Sequence, residues 1–127
     1  METVVGTTRL FGRVGWAALA VGTGAGLWQV AAAGGAVLAA GLAAAALPDV
    51  ALLYGMAPGL IRGQLHPRAV TAYNALHDLA GPLAVFAGAA ASGSTLLLAV
   101  GLGWTLHVAV DRSVGYGLRT PEGFQRG

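Results

Sequence analysis

The chain has 127 residues, of which 56% are apolar and only 9% charged, where a soluble domain carries roughly 25%. Seven arginines stand against five carboxylates for a formal charge of +2, and cysteine is absent. The arginines form no basic stripe, which excludes a nucleic-acid-binding face. The lack of thiols excludes disulfides and thiolate metal sites. So few charges cannot cover a surface in water. The composition predicts an all-α, polytopic membrane protein, with residues 1–127 as one domain and the lipid bilayer as its partner.

A membrane-crossing helix needs about 20 mostly apolar residues. Four segments qualify, at about 10–32, 36–57, 69–91 and 95–111. The breaks Ala33-Gly34-Gly35 and Ser92-Gly93-Ser94 join the first pair and the last pair, and the loop "PGLIRGQLHPR" joins the two hairpins. The expected architecture is a compact antiparallel bundle of four transmembrane helices with a tail at 112–127. Small residues such as those of "GTGAG", at Gly22–Gly26, would let the helix backbones approach.

Arg9 and Arg13 open the first span, Arg62 and Arg68 lie in the middle loop, and Arg112, Arg119 and Arg126 follow the fourth span. With four spans these three regions share one side, and the short breaks on the other side carry no charge. The positive-inside rule then puts both termini in the cytoplasm. A cleaved signal peptide ending near Ala31-Ala32-Ala33 is the competing reading of the first span. The arginine asymmetry favours keeping that span.

Polar residues inside the spans call for a reason, because a charged residue at a helix centre costs about 2.5–3.5 kcal/mol on insertion scales. Asp49 follows Pro48 in the second span; Tyr73, Asn74, His77 and Asp78 lie in the third; Trp104, His107 and Asp111 lie in the fourth. At a rise of about 1.5 Å per residue they fall in one layer of the cytoplasmic half. His107 and Asp111 are an i,i+4 pair, and Tyr73, Asn74 and His77 share a stripe. Pro48 and Pro82 free the carbonyls of Ala44 and Asp78. The expectation is a polar pocket built from all eight residues.

Neutral imidazole with carboxylate suits zinc, manganese or iron, so Asp49, His77, His107 and Asp111 form the candidate metal set. Three readings follow: a structural or ligand-binding polar network, a membrane-embedded metal-dependent hydrolase, and a proton or ion relay. A homo-oligomer or accessory-subunit role fits the same composition. Arg112 and Arg119 are expected at the interface, against lipid headgroups. Gly115, Tyr116 and Gly117 lack phosphate-loop spacing and are expected to turn the tail back, with Tyr116 capping the bundle.

Pro48-Asp49, Tyr73-Asn74 with His77, and "HVAVDRSVGYGLR" followed by Pro121 and Gly123-Phe124 resemble a bacterial family of small integral membrane proteins. It is the domain-of-unknown-function family numbered 4260. The resemblance implies a bacterial inner-membrane location and supports the site's position, and it implies no reaction. Two departures stand out. Phe11 follows Arg9-Leu10 where members often carry glutamate, and the Thr-His pair common after Gly-Phe is absent from these residues.

Overall fold

The computed structural model describes residues 2–126, with the backbone alone for residues 2–11. The protein is all-α. Its helices are α1 (Glu2–Ala31), α2 (Gly35–Ala46), α3 (Val50–Tyr54), α4 (Val70–Leu76), α5 (Ala80–Ser92) and α6 (Thr95–Val114). Single 3-10 turns at Leu47–Asp49 and Pro67–Ala69 precede α3 and α4.

Helix α6 is the centre of the fold and packs against α1, α2 and α5. Its inner face is built of small residues: Ala99, Gly101, Gly103 and Ala109 are buried. A Cβ on Gly103 would fall on the backbone of Gly41, so α2 and α6 touch main chain to main chain. Gly101 makes room for the ring of Phe86, and Gly81 for the indole of Trp104. Between apolar helices such close approach supplies dispersion contacts that longer side chains would prevent.

The stretches Gly12–Ala31 and Gly35–Tyr54 are each long and apolar enough to cross a membrane. The second matches the expected span and runs through the Pro48 turn, since all residues there keep right-handed helical angles. It ends at Tyr54, so the middle loop begins at Gly55, earlier than expected. The fourth helix continues three residues past its expected end at Asp111.

The expected third span, 69–91, is corrected: it is two helices. The helix stops at His77, turns through Asp78 and Leu79, and restarts at Ala80. Proline disfavours a helical carbonyl four residues earlier, and Pro82 puts that conflict at Asp78. The side chain of Asp78 instead accepts a hydrogen bond from the N–H of Leu79 at 2.7 Å. The indole N–H of Trp104 donates to the freed carbonyl of Leu76 at 2.7 Å, and Arg112 Nη2 donates to that of His77 at 2.9 Å. The break is therefore satisfied from α6.

After α6 the chain reverses at Gly115, whose φ of 100° is easy only for glycine. The tail folds over the loop between α3 and α4. Leu65 N–H donates to Gly123 O at 2.9 Å, and Gln64 Nε2 to Glu122 O at 2.8 Å. Asn74 clamps the tail from α4, donating to Arg119 O at 3.0 Å and accepting from Arg119 N–H at 2.7 Å.

Candidate metal centre

Two breaks in helical regularity and one continuous helix position the centre. The Pro48 turn presents Asp49, the end of α4 presents His77, and the last turns of α6 present His107 and Asp111. One ligand atom from each of these four residues lies within 4.8 Å of every other. The two Nε2 atoms are 3.2 Å apart. Asp49 Oδ1 is 3.6 Å from His77 Nε2 and 3.4 Å from His107 Nε2; Asp111 Oδ2 is 3.5 and 3.6 Å from the same two atoms.

The opposite nitrogen of each ring decides what those atoms are. His77 Nδ1 lies 2.8 Å from Tyr73 O, and His107 Nδ1 lies 2.7 Å from Ala45 O. A carbonyl can only accept, so each Nδ1 carries a hydrogen, and a ring in its neutral form aims a bare Nε2 lone pair inward. With two carboxylate oxygens beside them, four atoms able to ligate a cation converge on one point. The Nδ1–carbonyl bond is also the usual device that orients a metal-bound histidine.

The spacing fits a cation. Five separations among the four atoms run from 3.2 to 3.6 Å. The sixth, between the two carboxylate oxygens, is bounded at 4.8 Å, so the point equidistant from the four atoms lies about 2.0–2.4 Å from each, close to zinc bonds to histidine nitrogen and carboxylate oxygen. His77 is buried, 1% exposed, and its ring stacks on Tyr73 with centroids 3.8 Å apart and planes 13° apart. The guanidinium of Arg119 covers the other side of Tyr73, 4.8 Å from the ring centre.

The centre is open on one side. A cleft of about 300 Å³ is lined by Asp49, Tyr73, Asp111, Tyr116, Arg119 and Gln125. The Asp49 side chain is 56% exposed there and that of Asp111 21%.

The sequence profile of the family described as "Domain of unknown function (DUF4260)" matches residues 47–127. The chain belongs to that family. No curated protein and no solved structure matches it. The DUF4260 match begins two residues before Asp49 and contains all four converging residues and the tail that covers them. Helix α1 and helix α2 lie outside it.

Among the expected pocket residues, the structure brings Asp49, Tyr73, His77, His107 and Asp111 together. Asp78 is corrected: it is exposed and its side chain accepts from the Leu79 N–H, because the break at His77 turns the next residue outward. Asn74 and Trp104 brace the surrounding backbone and stay outside the converging set. The carbonyl that Pro48 was expected to free is Ala44's; the one His107 uses is Ala45's, one residue on. Arg112 and Arg119, expected against headgroups, hydrogen-bond inward to His77 O and to Gly63 O and Gly123 O. Gly115 turns the tail as expected, whereas the Gly117 N–H is held by Gln125 Oε1 at 2.9 Å. Tyr116 is 55% exposed at the cleft rim, so it does not cap the bundle. Gln125 and the Arg119–Tyr73–His77 stack carried no spacing signal, since the tail meets α4 only through the fold.

Proposed function

We propose that this protein is a small integral membrane protein of four membrane-embedded segments in one domain, carrying a zinc-type centre at Asp49, His77, His107 and Asp111 for hydrolytic chemistry. The observation that carries the metal is the convergence of four acceptors at zinc-bond spacing. The two positive charges of one divalent ion balance the two carboxylates, and two nitrogens with two oxygens favour zinc over the metals that prefer six oxygens. The cleft over Asp49 and Asp111 supports a catalytic role by giving the centre access from one side. Four protein ligands complete a four-coordinate shell, so hydrolytic chemistry would require a fifth position on the cleft side or release of the exposed Asp49, and the ion would then supply activation of water.

Exposure supports the membrane. Only 11% and 22% of the residues in the two long apolar stretches are buried by the protein itself. Val21, Leu42, Leu53 and Trp28 point outward, which suits lipid and not water. Arg13 donates to Ser113 O, Arg68 to Tyr54 O, and Arg119 to Gly63 O, so arginines from three regions gather at one end of the molecule. That end takes the cytoplasmic side, with both termini. A relay through the bilayer has less support, because beyond the histidines the space around Trp104 is walled by Ala44, Leu47, Leu76 and Val100.

Elemental analysis of the detergent-purified protein, prepared without chelator, tests the metal. Near-stoichiometric zinc or manganese is expected, and its loss in His107→Ala with helicity retained. A preparation that neither contains nor takes up a divalent metal sinks the centre and leaves a protonated hydrogen-bond network. Reporter fusions after Gly34 and at the C-terminus test the orientation, and an external C-terminus overturns it.

A further inference from the structure

We propose that the cleft binds the phosphate head of a long-chain phosphomonoester while the adjoining apolar cavity holds its chain, an inference that rests on the metal reading above. Two neighbouring cavities share Leu52 and Arg119 as lining residues. The smaller, of about 300 Å³, carries Asp49 and Asp111. The larger, of about 600 Å³, is walled by Leu52, Met56, Leu60 and Leu65, with Arg119 at the shared boundary. Each lies within or near the usual range of ligand sites, roughly 300–1,000 Å³, and neither alone suits both ends of an amphiphile.

Charge selects the head. Two carboxylates on a divalent ion form a neutral centre, so the net charge of the cleft comes from Arg119. Among the described residues Arg119 is in no ion pair. Its Nη1 is spent on Gly63 O and Gly123 O, and its buried Nε has no hydrogen-bond partner. The guanidinium is held over Tyr73, which stacks on His77, so its position relative to the metal ligands is fixed by packing. A fixed guanidinium beside an open metal face is the arrangement that clamps a phosphate, one oxygen on each.

The surroundings select the chain. The loop that walls the larger cavity leaves Met56 67% and Ile61 66% exposed. Those exposed apolar side chains suit a cavity mouth at the lipid boundary. A long-chain phosphomonoester reaches this mouth from the bilayer, with its head at the aqueous cleft. A water-soluble phosphate ester would leave the larger cavity unfilled.

The test uses the full chain in phosphatidylcholine nanodiscs, loaded with cobalt so that visible absorption reports the metal's ligands, with metal content measured on the same sample. Monododecyl phosphate is expected to shift the cobalt band and to bind at least about tenfold more tightly than ethyl phosphate, reflecting chain burial. Arg119→Gln should weaken monododecyl phosphate by about tenfold, as loss of a charged hydrogen bond does, with cobalt content unchanged. Ala57→Trp, which narrows the larger cavity, should weaken monododecyl phosphate alone and spare ethyl phosphate. Equal affinity for the two phosphates, or binding of monododecyl phosphate with no change in the cobalt band, overturns the inference and leaves the metal centre standing. A protein that takes up no cobalt overturns both.

Discussion

Thr23, in α1, donates its hydroxyl hydrogen toward the carbonyls of Leu19 and Ala20 one turn back, at 2.8 and 3.2 Å, and is satisfied within its own helix. His77, at the end of α4, stacks on Tyr73, holds Tyr73 O, and faces His107, Asp49 and Asp111 from two other elements. The two residues represent their regions. The α1–α2 hairpin is regular and apolar, and it packs by removing side chains, as where Gly41 meets Gly103. Residues 47–126 interrupt their helices at Pro48 and at His77, and each interruption presents a polar group, Asp49 at the first and His77 at the second. A continuous helix uses up its carbonyls internally. Polar side chains among apolar helices can therefore find backbone partners where a helix is broken nearby.

If that contrast is right, the largest effect belongs to a ligand in the interrupted region. His107→Ala is expected to lower zinc affinity by more than about 100-fold, since losing an outer-shell partner alone reaches roughly 10–100-fold. Competition with a chromophoric chelator in micelles measures it. A loss below about tenfold would place His107 outside the ligand set. Next comes the packing of the regular region. Gly103→Ala puts a methyl group into the backbone of Gly41 and should cost at least about 1–3 kcal/mol of unfolding free energy in micelles. Gly88→Ala is the control: its Cβ would meet only Leu97 Cδ1, at 3.8 Å, and no destabilisation is expected.

Smaller effects sharpen the comparison. Asn74→Ala removes two hydrogen bonds to Arg119, at roughly 0.5–1.5 kcal/mol each. It should free the tail for proteolysis after Gly115 while the helices persist; a resistant tail would mean that the loop contacts hold it unaided. Trp104→Phe leaves the Leu76 carbonyl without its indole donor, at a cost of about 1 kcal/mol. The smallest effect is assigned to Asp78→Asn. Its amide can still accept from Leu79 N–H, so zinc affinity should stay within about twofold and stability within about 0.5 kcal/mol. A marked loss of zinc would return Asp78 to the centre.

The candidate ligands were legible because each is an expensive residue in an apolar setting, and because His107 and Asp111 fall on one helical face. The break in the third span was less so. Pro82 announces a disturbance four residues upstream, yet proline also kinks helices that continue through it. Only the donors on Trp104 and Arg112 make a full stop stable there. Asp78 illustrates the consequence. On an unbroken helix it would sit beside His77 at the pocket edge, and the stop turns it out to accept from the Leu79 N–H.

Local order along the chain is enough to set what depends on neighbours a few residues apart: the all-α class, the two long apolar stretches, the glycine reversal at 115 and the residue types able to bind a metal. Distances between segments far apart in sequence belong to the fold. Ala45 O reaching His107, Asn74 clamping Arg119, and the two Nε2 atoms meeting at 3.2 Å join residues 62, 45 and 30 positions apart. No periodicity encodes such pairs, because each is the outcome of how whole helices pack on the bare inner face of α6. That packing, and not the pattern of any one segment, brings four scattered polar residues into a single cluster.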